Sequence, residues 1–221
     1  MHKTVKLLFA ALTASLILGA LVSNASATRL SSNSQTLRAT FSSLEFNGEG
    51  IAIIRCPVTL EGSFHSRTIA KVERALIGAV TRAVVKQESC TNGIGAAFNG
   101  TERYNGTTSP NTLPWHLTYE SFSGTLPNIS AVNILLSRFR FGLRDNAGFC
   151  TGQYGTSTDN ITSAANLGAG GAVASLVPIT GRNTASLARR DGGIACPSGR
   201  MTGTGSVTQL NSSATVNITL I

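Results

Sequence analysis

The residues best suited to acid–base work in this sequence are His65, His116 and Glu120, with the hydroxyls Ser63, Ser66, Ser121 and Ser123 close by in the chain. A serine that attacks, a histidine that takes its proton and a carboxylate that orients the histidine make a nucleophilic hydrolase site. His116 and Glu120 are four residues apart, so on a strand they share one face. No Gly-x-Ser-x-Gly elbow accompanies them, and in a serine-rich chain some serine falls near any histidine. Two histidines and a carboxylate also match a zinc set, but the His-Glu-x-x-His helix pattern is missing. The reading is a polar surface, with no metal or cofactor expected. His65, His116 and Glu120 stand as the candidates for a hydrolase alternative.

Arginines form the second group. Arg138, Arg140 and Arg144 fall at even spacing, against Phe139, Phe141 and Leu143 at the odd positions. On one strand that is a basic stripe opposite an apolar face. Such a stripe suits anionic cell-wall polymers or lipid head groups. It also suits a solvated face that discourages edge pairing. Trp115 stands beside Tyr119, with Tyr104 upstream, and could offer a sugar-stacking platform or pack in the core. Nucleic acid is not expected as a partner, because with three Tyr and one Trp the chain has no aromatic stacking motif among its basic residues.

These side chains must be carried by strands, because the dominant period is two. Ile54, Cys56, Val58, Leu60, Gly62 and Phe64 alternate with Arg55, Pro57, Thr59, Glu61, Ser63 and His65. Leu37, Ala39 and Phe41 make a shorter strand before it. After His65 the spacing predicts a short helix or turn up to Leu76, then a strand over 79–86. Trp115, Leu117 and Tyr119 alternate with polar neighbours, and one long strand is expected over 135–143. Shorter strands are expected over 172–179, 193–196 and 205–210, with a closing strand through Val216, Ile218 and Leu220. Turn formers punctuate the runs, as in Asp145-Asn146-Ala147-Gly148. Many short strands and almost no helix predict an all-β domain, an antiparallel β-sandwich or a Greek-key-like barrel.

The N-terminus is an address. His2, Lys3 and Lys6 precede an apolar run from Leu7 to Val22, and Ala25-Ser26-Ala27 closes it. That order is a secretory signal peptide over 1–27. The remaining 28–221 then form a single secreted domain with no membrane span. Two of the four lysines leave with the leader, so the net charge of +8 falls to about +6, carried almost wholly by arginine. Hydrophobic residues at 42% exclude a mostly disordered chain. Cys56, Cys90, Cys150 and Cys196 are an even set, which reads as disulfides in an exported protein. Of the three possible pairings, neighbour order favours Cys56–Cys90 with Cys150–Cys196. No Cys-x-x-Cys pair suggests zinc or redox chemistry.

Two segments carry a likeness to known proteins: Cys56-Pro57-Val58-Thr59-Leu60-Glu61-Gly62-Ser63-Phe64-His65-Ser66-Arg67-Thr68-Ile69, and the run from Leu113-Pro114-Trp115-His116 through Thr125-Leu126-Pro127-Asn128-Ile129. They resemble a family of short secreted proteins of high-GC bacteria with no assigned activity. The resemblance implies export and supplies no catalytic or ligand residues. The expectation is a secreted, non-enzymatic surface or binding protein of the bacterial envelope, meeting an anionic wall polymer or carbohydrate. A small secreted hydrolase and a structural subunit of a surface assembly are the alternatives.

Overall fold

A computed structural model describes residues 29–48, 53–155, 160–178, 186–187, 189–192 and 198–221. In chain order the strands are β1 (Arg29–Ser32), β2 (Thr36–Gly48), β3 (Ile54–Phe64), β4 (Thr68–Ala70), β5 (Leu76–Val85), β6 (Gly93–Ala97), β7 (Arg103–Tyr104), β8 (Thr107–Thr108), β9 (Trp115–Thr125) and β10 (Asn128–Ser137). They continue with β11 (Phe141–Asp145), β12 (Thr151–Tyr154), β13 (Asn160–Leu167), β14 (Val173–Pro178), β15 (Ser186–Leu187), β16 (Arg189–Gly192), β17 (Gly199–Thr202), β18 (Gly205–Gln209) and β19 (Ile218–Leu220).

Eight of these strands close on themselves. The hydrogen-bonded order β2, β18, β14, β13, β10, β9, β5, β3 returns to β2 through the β2–β3 ladder. Around the ring the strands follow chain order, β2-β3-β5-β9-β10-β13-β14-β18. The barrel anticipated from the alternation is therefore present, but as a meander of neighbouring strands and not as a sandwich or a Greek key. Closure leaves no barrel edge to protect. Bulges interrupt the ladders at Glu61/Gly62 and Asn133/Ile134, which bends the strands enough to close the ring. β3 and β5 come so near at one of these points that a Cβ on Gly62 would strike the Ala79 carbonyl oxygen. A Cβ on Gly78 would strike that of Ser63.

Each mouth of the barrel is covered. At one end lies the three-stranded sheet β19-β1-β4, whose Leu30, Ile69 and Ile218 pack with Phe64, Val173 and Val216. At the other lies the sheet β16-β12-β11-β6, whose Phe141, Leu143, Tyr154 and Ala97 pack with Phe46, Ile54, Val58 and Trp115. The Cys56–Cys90 disulfide joins β3 to the segment entering β6. Cys196 and the leader over 1–27 lie outside the described residues, as does the strand expected over 193–196.

Two strand expectations need correction. Between His65 and Leu76 the chain takes the turn and not the helix: Ile69 belongs to β4, residues 73–74 turn, and β5 starts at Leu76 itself, earlier than 79. The helical spacing there comes from two strands meeting at a turn, with Val72 exposed. The long strand over 135–143 is two strands in different sheets. β10 ends at Ser137, Arg138 takes the left-handed conformation with φ 64°, and β11 begins at Phe141. The chain leaves the barrel wall there, so Phe139 packs in the core between the two sheets while Phe141 and Arg144 stand on β11 of the end sheet, a different element from Leu135.

Candidate functional site

The outer wall of the barrel is polar and laced with ion pairs. Arg38 on β2, Glu61 on β3 and Arg82 on β5 are register partners, and both guanidinium groups reach Glu61 Oε1 at 2.9 Å. Arg55 meets Glu45 at 2.6 Å near the far end of the same two strands. A membrane-spanning barrel presents apolar side chains outward and polar ones inward. Here the sense is reversed. Among the described residues no helix is long and apolar enough to cross a membrane.

The hydrolase candidates lie on this outer wall without forming a relay. His65 is exposed just past β3, and His116 stands on β9 with β5 between them. The register runs from His116 through Ala79 to Ser63, so His65 lies two strand spacings away and two residues further along. The Arg138 guanidinium donates towards His116 Nε2 at 3.2 Å. Glu120 is the extra residue at the β9 bulge, and its Oε2 accepts from Thr162 Oγ1 at 2.8 Å across β10. His116 and Glu120 are thus each taken by a group outside the candidate set. Among the described residues no three His, Cys, Asp or Glu side chains group as metal ligands.

The arginine stripe divides. Arg138 and Arg140 line one cleft of about 290 Å³ with Thr112, Leu113 and Pro114. Arg144 lines another with Arg103, Gln87 and Ile94. Trp115 is fully buried: its ring meets Phe141 edge-on at 5.3 Å and Phe139 at 6.5 Å, and Nε1 donates to Thr112 Oγ1 at 3.0 Å. Tyr119 is also buried, which pushes its hydroxyl pKa up. Neither ring can present a face to a glycan, so the stacking-platform expectation for Trp115 does not survive.

Glu102 is the carboxyl whose surroundings shift it upward. Burial raises its pKa above the ordinary 4.5, while hydrogen bonds from the Val85 and Ala97 amides (2.7 Å each) and Asn99 Nδ2 (2.9 Å) pull the other way. It stitches β5 to β6, a structural clamp on the end sheet.

The cavity that sequence reasoning missed is inside the barrel. About 110 Å³ is lined by Leu37, Ala39, Leu60, Leu117, Ile134 and Leu176 along the walls. Phe64, Val216 and Ile218 close one end, and Phe41, Phe141 and Met201 the other. Eight strands enclose room for packed side chains or for one small ligand. Small inward residues tip this barrel towards the second: Ala39, Gly62, Ser163 and Ala165 all line the space. Leu37, Leu60, Leu117, Ile134, Leu176 and Val207 face inward yet are only half-buried. The wall is weakest between β14 and β18, where a single register pair, Leu176↔Gly205, joins the strands. By contrast β10 and β13 zip without interruption from Ala131↔Asn166 to Ser137↔Asn160. Towards the β19 end, the returning chain wedges into that seam through Ala172↔Asn217 and Thr208↔Thr215.

Compared with known proteins, the chain matches no family model, no curated protein and no solved structure.

Proposed function

We propose that this chain is an exported, non-catalytic binding protein that holds a small apolar molecule inside its barrel. The observation that carries the reading is the apolar interior cavity of about 110 Å³ under an exterior that carries the charged side chains, Arg38, Glu61 and Arg82 among them. An engineered cavity of ~150 Å³ with such a lining stays dry and takes up benzene. The setting rests on the leader pattern over 1–27, on the likeness of the two quoted segments to exported proteins, and on the Cys56–Cys90 disulfide, which suits an oxidising compartment. A second bridge, Cys150–Cys196, belongs to the same proposal. Cys150 is buried and no free cysteine is found among the described residues. Mass measured with and without reductant counts the bridges.

Benzene is the first probe. Titration should shift the methyl resonances of Leu60, Ile134 and Leu176 and raise Tm in proportion to occupancy. No methyl shift and no change in Tm up to benzene saturation would sink the reading.

A second reading, adhesion to anionic wall polymers, is favoured by the convergence of Arg138 and Arg140 on one cleft. Among the described residues no carboxylate pairs with either. Binding to purified wall should then weaken with salt and with the double change R138Q/R140Q. Salt-independent binding would exclude it.

A further inference from the structure

We infer that the molecule held in the barrel is small, uncharged and mostly hydrocarbon, and carries one hydroxyl or carbonyl group that hydrogen-bonds to Ser163. This rests on the binding reading above and names the chemistry of its ligand. Among the described lining residues Ser163 is the one with a hydrogen-bonding hydroxyl, amide or charged side chain; the others are aliphatic, aromatic, methionine, glycine or proline. It sits on β13 with Ile134 of β10 on one side and Pro178 of β14 on the other, and both of those also line the cavity. Pro178 has no N–H to offer. Among the described residues the Ser163 hydroxyl makes no hydrogen bond to the protein, and it is not among the sealed, unpartnered polar atoms, where only Thr118 Oγ1 is found. Its donor and its acceptor capacity are therefore both open to the cavity.

Water is a poor occupant of that position. A buried water needs two to four polar partners, about three on average, and this lining offers one side chain. A ligand that brings one oxygen on a hydrocarbon body matches the site on both counts. Charge is excluded by the same wall. A carboxylate or ammonium group would be stripped of water with no counter-charge among the described lining residues, which is prohibitively costly. Size follows from the volume. At about 110 Å³ the cavity is of the same order as the ~150 Å³ cavity that takes up benzene. That limits the occupant to one small ring or a short chain and excludes sterols and long acyl chains.

The test compares benzene, phenol and benzoate on the native protein and on Ser163→Ala, a change that removes one oxygen and leaves the fold's packing in place. Methyl shifts and calorimetry give the affinities. S163A should lower the affinity for phenol about fivefold relative to benzene, the worth of one hydrogen bond. Benzoate should not bind either protein at neutral pH. If benzene binds but the phenol-to-benzene ratio is the same in S163A, the Ser163 assignment is wrong while the binding reading stands. If neither benzene nor phenol binds the native protein, the binding reading itself fails. Ala165→Leu supplies the second variant: filling the cavity should expel both probes, and binding that survives it would place them outside the barrel and overturn the inference.

Discussion

Replacing Trp115 separates a core role from a surface one. Its side chain is fully buried at the start of β9, where it forms part of the floor between the cavity and the end sheet. Truncating a buried Trp to Ala costs about 3–5 kcal/mol in transfer and cavity terms. The edge contacts to Phe141 and Phe139 add about 0.5–1.5 kcal/mol each where they are well formed. The indole hydrogen bond to Thr112 is worth about 1 kcal/mol. These terms overlap, so W115A should fall at the upper end, about 4–5 kcal/mol. For a chain of this length that is a drop in Tm of about 8–20 °C. W115F keeps a ring and loses the N–H. Thr112 Oγ1 still donates to the Phe98 carbonyl at 3.1 Å, so no buried donor is orphaned, and the cost should be only about 1–2 kcal/mol. Urea unfolding followed by circular dichroism reads all three proteins; fluorescence will not serve, because Trp115 is the sole tryptophan. A W115A protein within about 1 kcal/mol of the parent, but with lost binding to a glycan, would refute the core assignment.

Three further outcomes follow from particular contacts. Cys56 and Cys90 are 34 residues apart, and closing that loop in the unfolded chain is worth about 4 kcal/mol; the double Ala variant should lose most of this in urea unfolding, and an unchanged midpoint would contradict it. Burial raises the native Glu102 pKa, so the folded state holds that proton more tightly than the unfolded chain. The associated stability is complete below the ordinary 4.5 and is lost as pH rises through the higher native value. E102Q should remove that downward slope, and identical stability–pH curves for the two proteins would rule it out. Backbone amides along the β14–β18 seam should exchange with deuterium faster than those of the β10–β13 ladder; uniform protection around the barrel would show that the seam is not the weak point.

The inward faces were legible from alternation alone, because a period of two survives wherever one side of a strand is buried. Leu37, Ala39 and Phe41, and then Val58, Leu60, Gly62 and Phe64, are the residues that enter the barrel. What alternation could not reveal is closure. Whether strands curl into a ring depends on bulges such as that at Glu120, and a bulge leaves the composition of its strand unchanged. The same limit explains the arginine stripe. Period two runs unbroken from Leu135 to Leu143, yet Arg138 turns the chain out of the wall with a left-handed backbone that no residue type there announces. The cavity had a faint signal. Ala39, Gly62, Ser163 and Ala165 are small residues at inward positions, and small residues facing one another across a ring leave space. Without knowing that the ring closes, that signal reads only as a thin core.

The orientation of the barrel's polarity decides where function should be sought. Outside, Glu61 is shared by two arginines and Glu120 is held by Thr162, so the wall's carboxylates are occupied in holding strands together. His116 is held by Arg138 in the same way. A surface so engaged has little left over for chemistry, and the arginine-lined clefts, at Arg138 and Arg140 and at Arg103 and Arg144, offer charge without enclosure. Inside, nearly every group is apolar, and the meander has not been packed solid. Filling the void would need only larger residues at Ala39 or Ala165, substitutions that ordinarily stabilise a core when they fit. An unfilled space in a covered barrel forfeits dispersion contacts on every wall. A bound molecule restores them, and one with a single oxygen also satisfies the hydroxyl of Ser163. The void, the small side chains around it and the lone hydroxyl are then three consequences of one occupant.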